Sequence, residues 1–160
     1  MGMDLSFATK EGKLNIRACA VILHKGRILA MRDERSPYYY LPGGRIQMGE
    51  TAEEAVLREL LEELAIEASI ERPLWLNQAF FTEDVDRLRY HELGFYFLMD
   101  VTKSDLLSRG QTFLGTEKEH SHIFEWLPIE KLQELYFYPE FLKTSIVDLP
   151  PVFTLRTETE

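Results

Sequence analysis

Three carboxylates stand close together in the run Arg58-Glu59-Leu60-Leu61-Glu62-Glu63-Leu64, with Glu50 a short distance upstream. On a helix at about 100° per residue, Glu59, Glu62 and Glu63 share one sector with Ala52 and Ala55. Like charges at i,i+3 and i,i+4 oppose the helix by a few tenths of a kcal/mol per pair. Arg58 and Glu62, at i,i+4, can offset one of them as an ion pair. A hard divalent cation would offset the rest, because Mg²⁺ and Mn²⁺ prefer carboxylate and water oxygens. An ion so held neutralises phosphate charge, polarises phosphorus and acidifies a bound water. Taken alone, a glutamate-rich helix is an ordinary solvated face. The elements around it decide which reading holds.

Thr51 to Leu64 has the periodicity of a helix, and Thr51-Ala52-Glu53-Glu54 opens it as a capping box. Val56, Leu57, Leu60, Leu61 and Leu64 form the apolar sector expected to bury. Leu41-Pro42-Gly43-Gly44 breaks the chain before it, and its glycines let the backbone approach the helix start closely. Leu14 to His24 reads as a buried strand, Lys25-Gly26 as a tight turn and Arg27 to Arg32 as the returning strand. Ile66 to Phe81, interrupted near Pro73, and Arg87 to Val101 read as two long strands of a hairpin, with a bulge or close approach at Gly94. Ser104 to Lys118 is a polar excursion. His122 to Leu127 is a strand, Pro128 to Leu135 begins a helix, and Pro139 to Ser145 is another short one. Residues 1–13 are expected to be frayed or an edge strand, and the tail after Pro150 loose. Strands, helix, strands, helix make a mixed sheet with helices packed on it, an α/β (α+β mixed) class without Rossmann alternation.

The spacing then singles the helix out. Gly44 is followed after five residues by Glu50, and Glu50 after seven by Arg58-Glu59-Leu60-Leu61-Glu62-Glu63-Leu64-Ala65-Ile66. This resembles the signature of the Nudix (MutT-like) hydrolases. Every specified position matches except Ala65, where that family usually has glycine. Leu41-Pro42-Gly43-Gly44 and Glu125-Trp126-Leu127-Pro128 also resemble the family. The resemblance implies an α/β/α sandwich with a central mixed β-sheet, a single domain over residues 1–160 with 1–13 and 150–160 as peripheral tails. It implies a hydrolase of the phosphoanhydride in a nucleoside diphosphate linked to another group, the class of ADP-ribose, nucleotide sugars and nucleoside triphosphates. Glu59, Glu62 and Glu63 would hold Mg²⁺ or Mn²⁺, with the Gly43 carbonyl and Glu50 in support and Arg58 orienting a glutamate. The general base would be a helix glutamate or a residue on a later loop, where Glu117, Glu119, His120 and His122 lie and Glu119 is favoured. Family members are often homodimers. The alternative is a Nudix-like nucleotide-binding or regulatory domain without catalysis, but such domains usually lack box glutamates and all are present here. Ala65 touches only the helix end, where a left-handed alanine costs roughly 1 kcal/mol.

Substrate selection lies outside the signature. Tyr38, Tyr39 and Tyr40 could stack on a base, Arg32, Arg35 and Arg45 could reach phosphates, and Trp75, Phe80 and Phe81 could line a pocket. The bulk numbers narrow the partners. The chain has 160 residues, 45% hydrophobic and 28% charged, with a formal net charge of −9. That charge disfavours a nucleic-acid polymer, whose backbone needs Lys and Arg, but admits a small phosphorylated ligand screened by a cation. The one cysteine, Cys19, sits in an apolar run and reads as core. No apolar stretch approaches the roughly 18 residues of a membrane span, and no signal-peptide pattern is seen, so the expectation is a cytoplasmic protein.

Overall fold

The computed structural model describes residues 2–117, 119 and 121–160. Its centre is a strand with apolar residues on both faces, β2 (Lys13–Val21). Ala18 and Ala20 point to one side, Cys19 and Val21 to the other, and all four are buried. A strand of this kind needs cover on both faces.

Two sheets supply the frame. β1 (Ser6–Ala8) and β5 (Gly43–Arg45) share one edge of β2, both antiparallel to it. Along the other edge β7 (Arg89–Asp100) runs parallel to β2, then β6 (Ser69–Thr82) antiparallel to β7, then β10 (Thr154–Thr159) parallel to β6. The second sheet is antiparallel, in the order β3 (Leu23–His24), β4 (Arg27–Asp33), β9 (His122–Pro128), β8 (Thr112–Leu114). On one side α1 (Ala52–Leu64) packs Ala55, Val56, Leu60 and Leu64 against Ala18, Ala20, Leu29, Met31 and Phe97. On the other side the 3₁₀ turn Ile129–Glu134 and α2 (Leu142–Ser145) bring Leu132, Phe137, Phe141 and Leu142 onto Val21, Ile28, Leu74 and Trp75. The mixed sheet is thus covered on both faces, the expected sandwich. No helix among the described residues is long and apolar enough to cross a membrane.

Several details differ from the sequence reading. The tail after Pro150 is not loose: it returns as β10, whose Arg156 and Glu158 point inward while Leu155 is exposed. Apolar alternation misses such a strand because its polar residues are the inner ones. Gly94 carries no bulge, and the register shifts lie at Ile70/Arg72 and Pro73/Trp75. Gly94 is instead a close approach, with the Tyr96 ring 2.9 Å from where its Cβ would be. Leu57 and Leu61 do not bury; they are 37% and 54% exposed. The buried sector of α1 runs through Ala55, Val56, Leu60, Glu63 and Leu64, so the helix is rolled to put one of its glutamates inside.

The ends of α1 follow their local chemistry. Thr51 and Glu54 exchange both bonds of the capping box. Ala65 takes the left-handed conformation, φ 52° and ψ 41°, and its N–H donates to the Leu61 carbonyl. An alanine Cβ is strained there and a glycine is not. Ala65→Gly should therefore stabilise the fold by about 1 kcal/mol, read as a higher denaturation midpoint at unchanged slope. An unchanged or lower midpoint would contradict this account of the helix end.

Candidate active site

The rolled helix aims its acidic sector at β5. Gly43 N–H donates to Glu63 Oε1 at 3.0 Å, and Glu63 is 4% exposed. The two glycines make this approach possible. Gly43 has φ +140°, and a Cβ on it would collide with the Ala18 carbonyl of β2. A Cβ on Gly44 would occupy the place of the Glu59 carboxylate.

Arg58 ties the remaining carboxylates together. Its Nε donates to Glu50 Oε2 at 2.7 Å and its Nη2 to Glu50 Oε1 at 3.0 Å. Its Nη1 meets Glu59 Oε1 at 3.0 Å and Glu62 Oε2 at 3.3 Å, and Nη2 also reaches the Arg45 carbonyl at 3.1 Å. Glu50 Oε1 further accepts from Gln47 N–H, so both Glu50 oxygens are engaged by protein donors. Glu50 therefore fixes Arg58 and the loop, whereas Glu59, Glu62 and Glu63 present the acidic face.

The C-terminal end of the helix gathers a second set of groups. Thr116 donates from Oγ1 to the Glu62 carbonyl and from N–H to the Glu63 carbonyl. Arg109 Nη1 donates to the Leu64 carbonyl at 2.7 Å. These bonds satisfy carbonyls that a helix end leaves open, and they pin the following loop beside the helix. Glu117 is thereby brought to Glu63 and His122, with one ligand atom from each lying within 4.8 Å of the others. His122 Nε2 lies 3.6 Å from Asp33 Oδ2, and Nδ1 lies 3.9 Å from Glu117 Oε2. Asp33 in turn accepts from Tyr40 Oη and from Arg35. The favoured Glu119 is exposed and is not one of this group, which holds Glu117 instead. His120 lies outside the described residues.

Burial raises the Glu63 carboxyl well above its ordinary range, and the neighbouring Glu59 charge adds to that, against the Gly43 N–H. Burial also raises Glu59, opposed by Arg58. Glu50 is held low by its hydrogen bonds from Arg58. Buried, closely spaced carboxylates with few compensating donors are a poor structural arrangement and a good one for a hard cation. The donor set therefore fits a divalent metal, with Glu59, Glu62 and Glu63 as oxygen donors and Glu117 beside Glu63.

A cleft of about 490 Å³ opens on the face of β2, β7 and β6 opposite α1; Asp33, which faces His122, lines it, whereas Glu59, Glu62, Glu63 and Glu117 do not. Of the expected substrate contacts, Tyr38, Tyr40, Arg35, Arg45, Phe80 and Phe81 line it. Arg32 and Tyr39 do not. Arg32 is exposed and lies over the Tyr39 ring at 5.7 Å, and Tyr39 Oη donates to Glu125. Trp75 is core, edge-on to Phe141. The sequence reading missed the cleft floor, which carries Asn15, Arg17, Asn77 and Glu92. Its signal was present: Asn15 and Arg17 are polar residues at i,i+2 that share one face of β2 with the apolar Cys19 and Val21.

A mixed sandwich with a glycine-anchored acidic helix defines a class, and the comparisons name it. The family model of the NUDIX domain matches residues 13–145. The chain belongs to the NUDIX family. It is 37% identical over 99 residues to a protein named "Putative 8-oxo-dGTP diphosphatase" from Bacillus subtilis, 61% of each chain. It is 28% identical over 115 residues to an ADP-ribose pyrophosphatase from Methanocaldococcus jannaschii, 70% of this chain and 62% of that one. The match thus spans less than two thirds of the length of either relative. Among solved structures, the MutT protein from Methanosarcina mazei Go1 superposes with a TM-score of 0.60 at 20% identity, covering 85% of this chain and 91% of that one. A NUDIX hydrolase from Nitrosomonas europaea gives 0.60 at 14% identity over 99% and 96%. These two likenesses concern the fold.

Gly44→Ala should displace the Glu59 carboxylate without unfolding β5. Mn²⁺ affinity by calorimetry should fall about tenfold or more, with the circular dichroism spectrum unchanged. Affinity equal to wild type would show that Glu59 does not depend on this glycine.

Proposed function

We infer that this chain is a metal-dependent hydrolase that cleaves the phosphoanhydride of a nucleoside diphosphate linked to another group, using Mg²⁺ or Mn²⁺. The observation that carries the reading is Glu63, buried on the Gly43 amide among Glu59 and Glu117, in a group that His122 links to Asp33 on the wall of a cleft large enough for a nucleotide. The names of the two curated relatives, a diphosphatase and a pyrophosphatase, support the same class. The retention of every box glutamate speaks against a binding domain without catalysis.

The residues divide the work. Glu59, Glu62 and Glu63 would hold the cation, and Arg58 keeps Glu59 and Glu62 in place while balancing part of their charge. The bound ion supplies charge neutralisation on the diphosphate and a more acidic water. Glu117, next to Glu63 and backed by His122 and Asp33, takes the proton of the attacking water, the role the sequence favoured for Glu119. Tyr40, Arg45 and Arg35 stand along the cleft wall for the substrate. The helix–glycine contact holds the carboxylates in one geometry before substrate arrives, which suits an in-line displacement.

A panel of ADP-ribose, nucleotide sugars and nucleoside triphosphates with Mg²⁺ or Mn²⁺ tests the reading. Release of a nucleoside monophosphate from at least one compound supports it; release from none removes it. Glu62→Gln and Glu63→Gln should each lower kcat/KM by more than about 100-fold, beyond the loss typical of outer partners. Glu117→Gln should lower kcat by about 100-fold or more while Glu119→Gln stays near wild type. The reverse pattern would return the base to Glu119.

A further inference from the structure

α1 covers only part of the sheet face on which it packs. Strand register places Ala18, Phe95, Leu76 and Leu155 in one row across β2, β7, β6 and β10, and Ile16, Leu93, Gln78 and Thr157 in the next. Phe7, Leu14 and His91 form a third row across β1, β2 and β7. Alternation puts all three rows on the α1 side, where Ala18 is buried in the core of the helix. Farther along the strands the cover ends. Leu14, Ile16, Leu76 and Leu93 are half-buried, and Phe7 and Leu155 are exposed. Leu76 and Leu93 belong to neither core.

The bare part of this face has a charge pattern of its own. The chain has 27 acidic residues and a net charge of −9, yet no residue of the three rows is acidic. The same strands put Glu92 and Glu158 on the reverse side, at the cleft. The face is also large. Five strands at about 4.8 Å span about 24 Å, and three rows about 6.8 Å apart span about 20 Å, roughly 480 Å² in projection less the corner under α1. An apolar face of that size on a single chain marks an interaction site. Side-chain relief and the flank of α1 bring it towards the ~800 Å² per partner of a stable interface.

We propose that this face joins two copies of the chain, sheet on sheet, in a two-fold dimer. A two-fold interface pairs a patch with itself, so the patch must suit its own charge and shape. A face without carboxylates lets two acidic chains meet with no like charges opposed. An anionic membrane or a nucleic-acid backbone calls for Lys and Arg, and these rows hold neither. The shape fits as well. α1 forms a layer about 10 Å thick over one half of the face, and stacked sheets lie about 10 Å apart, so the step beside α1 has the depth of one sheet. A second copy fills that step with its own bare half, at the roughly −30° of aligned sheets. Its α1 then stands past the end of this sheet, and the two-fold repeats the fit. Both clefts lie on the reverse faces and stay open.

Sedimentation velocity of the full chain between about 10 nM and 200 µM tests the proposal, because mass action then reads the association directly. Wild type should be dimeric over all or the upper part of that range. Leu155→Glu and Thr157→Glu each place a carboxylate on the face at an exposed position, and glutamate at 157 keeps an acceptor for Gln78. Their circular dichroism spectra should match wild type, and each should raise the dimer dissociation constant at least about 100-fold, as a buried unpaired charge does. Val147→Glu, at an exposed apolar residue outside the face, should leave the constant unchanged. A wild type that is monomeric at every concentration overturns the proposal and leaves the face to another occupant. A dimer that persists at full strength in both variants, an equal loss in Val147→Glu, or growth past the dimer overturns it too.

Discussion

The bond from the Gly43 amide to Glu63 is the contact on which the rest of the arrangement turns. A carboxylate buried to this degree is costly unless its charge is met. One backbone N–H meets it in part, and Glu59 alongside works against it. The fold accepts this because the contact fixes the roll of α1 on the sheet. Once Glu63 is on Gly43, Glu59 must lie over Gly44, and Leu57 and Leu61 must turn outward. The same roll leaves the helix end open to Thr116 and Arg109, which carry the Glu117 loop to the site. Position, charge and access thus descend from one buried pair.

The sequence carried the helix and its signature almost completely. Thr51 and Glu54 announce the start of α1, and Gly44, Glu50 and Arg58 at fixed distances distinguish its glutamates from a solvated face. It could not give the roll. A helical wheel orders the residues by angle, but which sector meets the sheet depends on partners distant in the chain. Leucine at 57 and 61 argued for one sector, and the Gly43 amide chose another about 70° away. That Glu117 and not Glu119 lies beside Glu63 was hidden for a similar reason, because it follows from hydrogen bonds of a loop to helix carbonyls.

The cleft floor and β10 were hidden by their polarity. Glu158 and Arg156 point inward where an apolar pattern expects hydrophobes, since one braces Asn77 and the other lies over the Phe141 ring. Such inversions of the period-two rule occur where a sheet face is kept for a ligand instead of a core. Opposite faces of one sheet therefore serve separate ends. The α1 face carries Glu59, Glu62 and Glu63, and the far face offers the cleft. β2 and β5 form the partition between them, which is why Gly43 and Gly44 stand at their contact.

The central claim is that Glu63 is a buried charge awaiting a cation, and thermal stability reads this without any substrate. A carboxyl whose folded pKa is raised holds more protons folded than unfolded above the ordinary carboxylate range, so it makes stability fall as pH rises there. Metal-free wild type should accordingly melt lower at pH 7 than Glu63→Gln. Saturating Mn²⁺ should raise the wild-type Tm and leave the variant nearly unmoved, since only a ligand of the folded state stabilises it. A metal-free variant that melts below wild type, together with a wild-type Tm indifferent to Mn²⁺, would contradict the account.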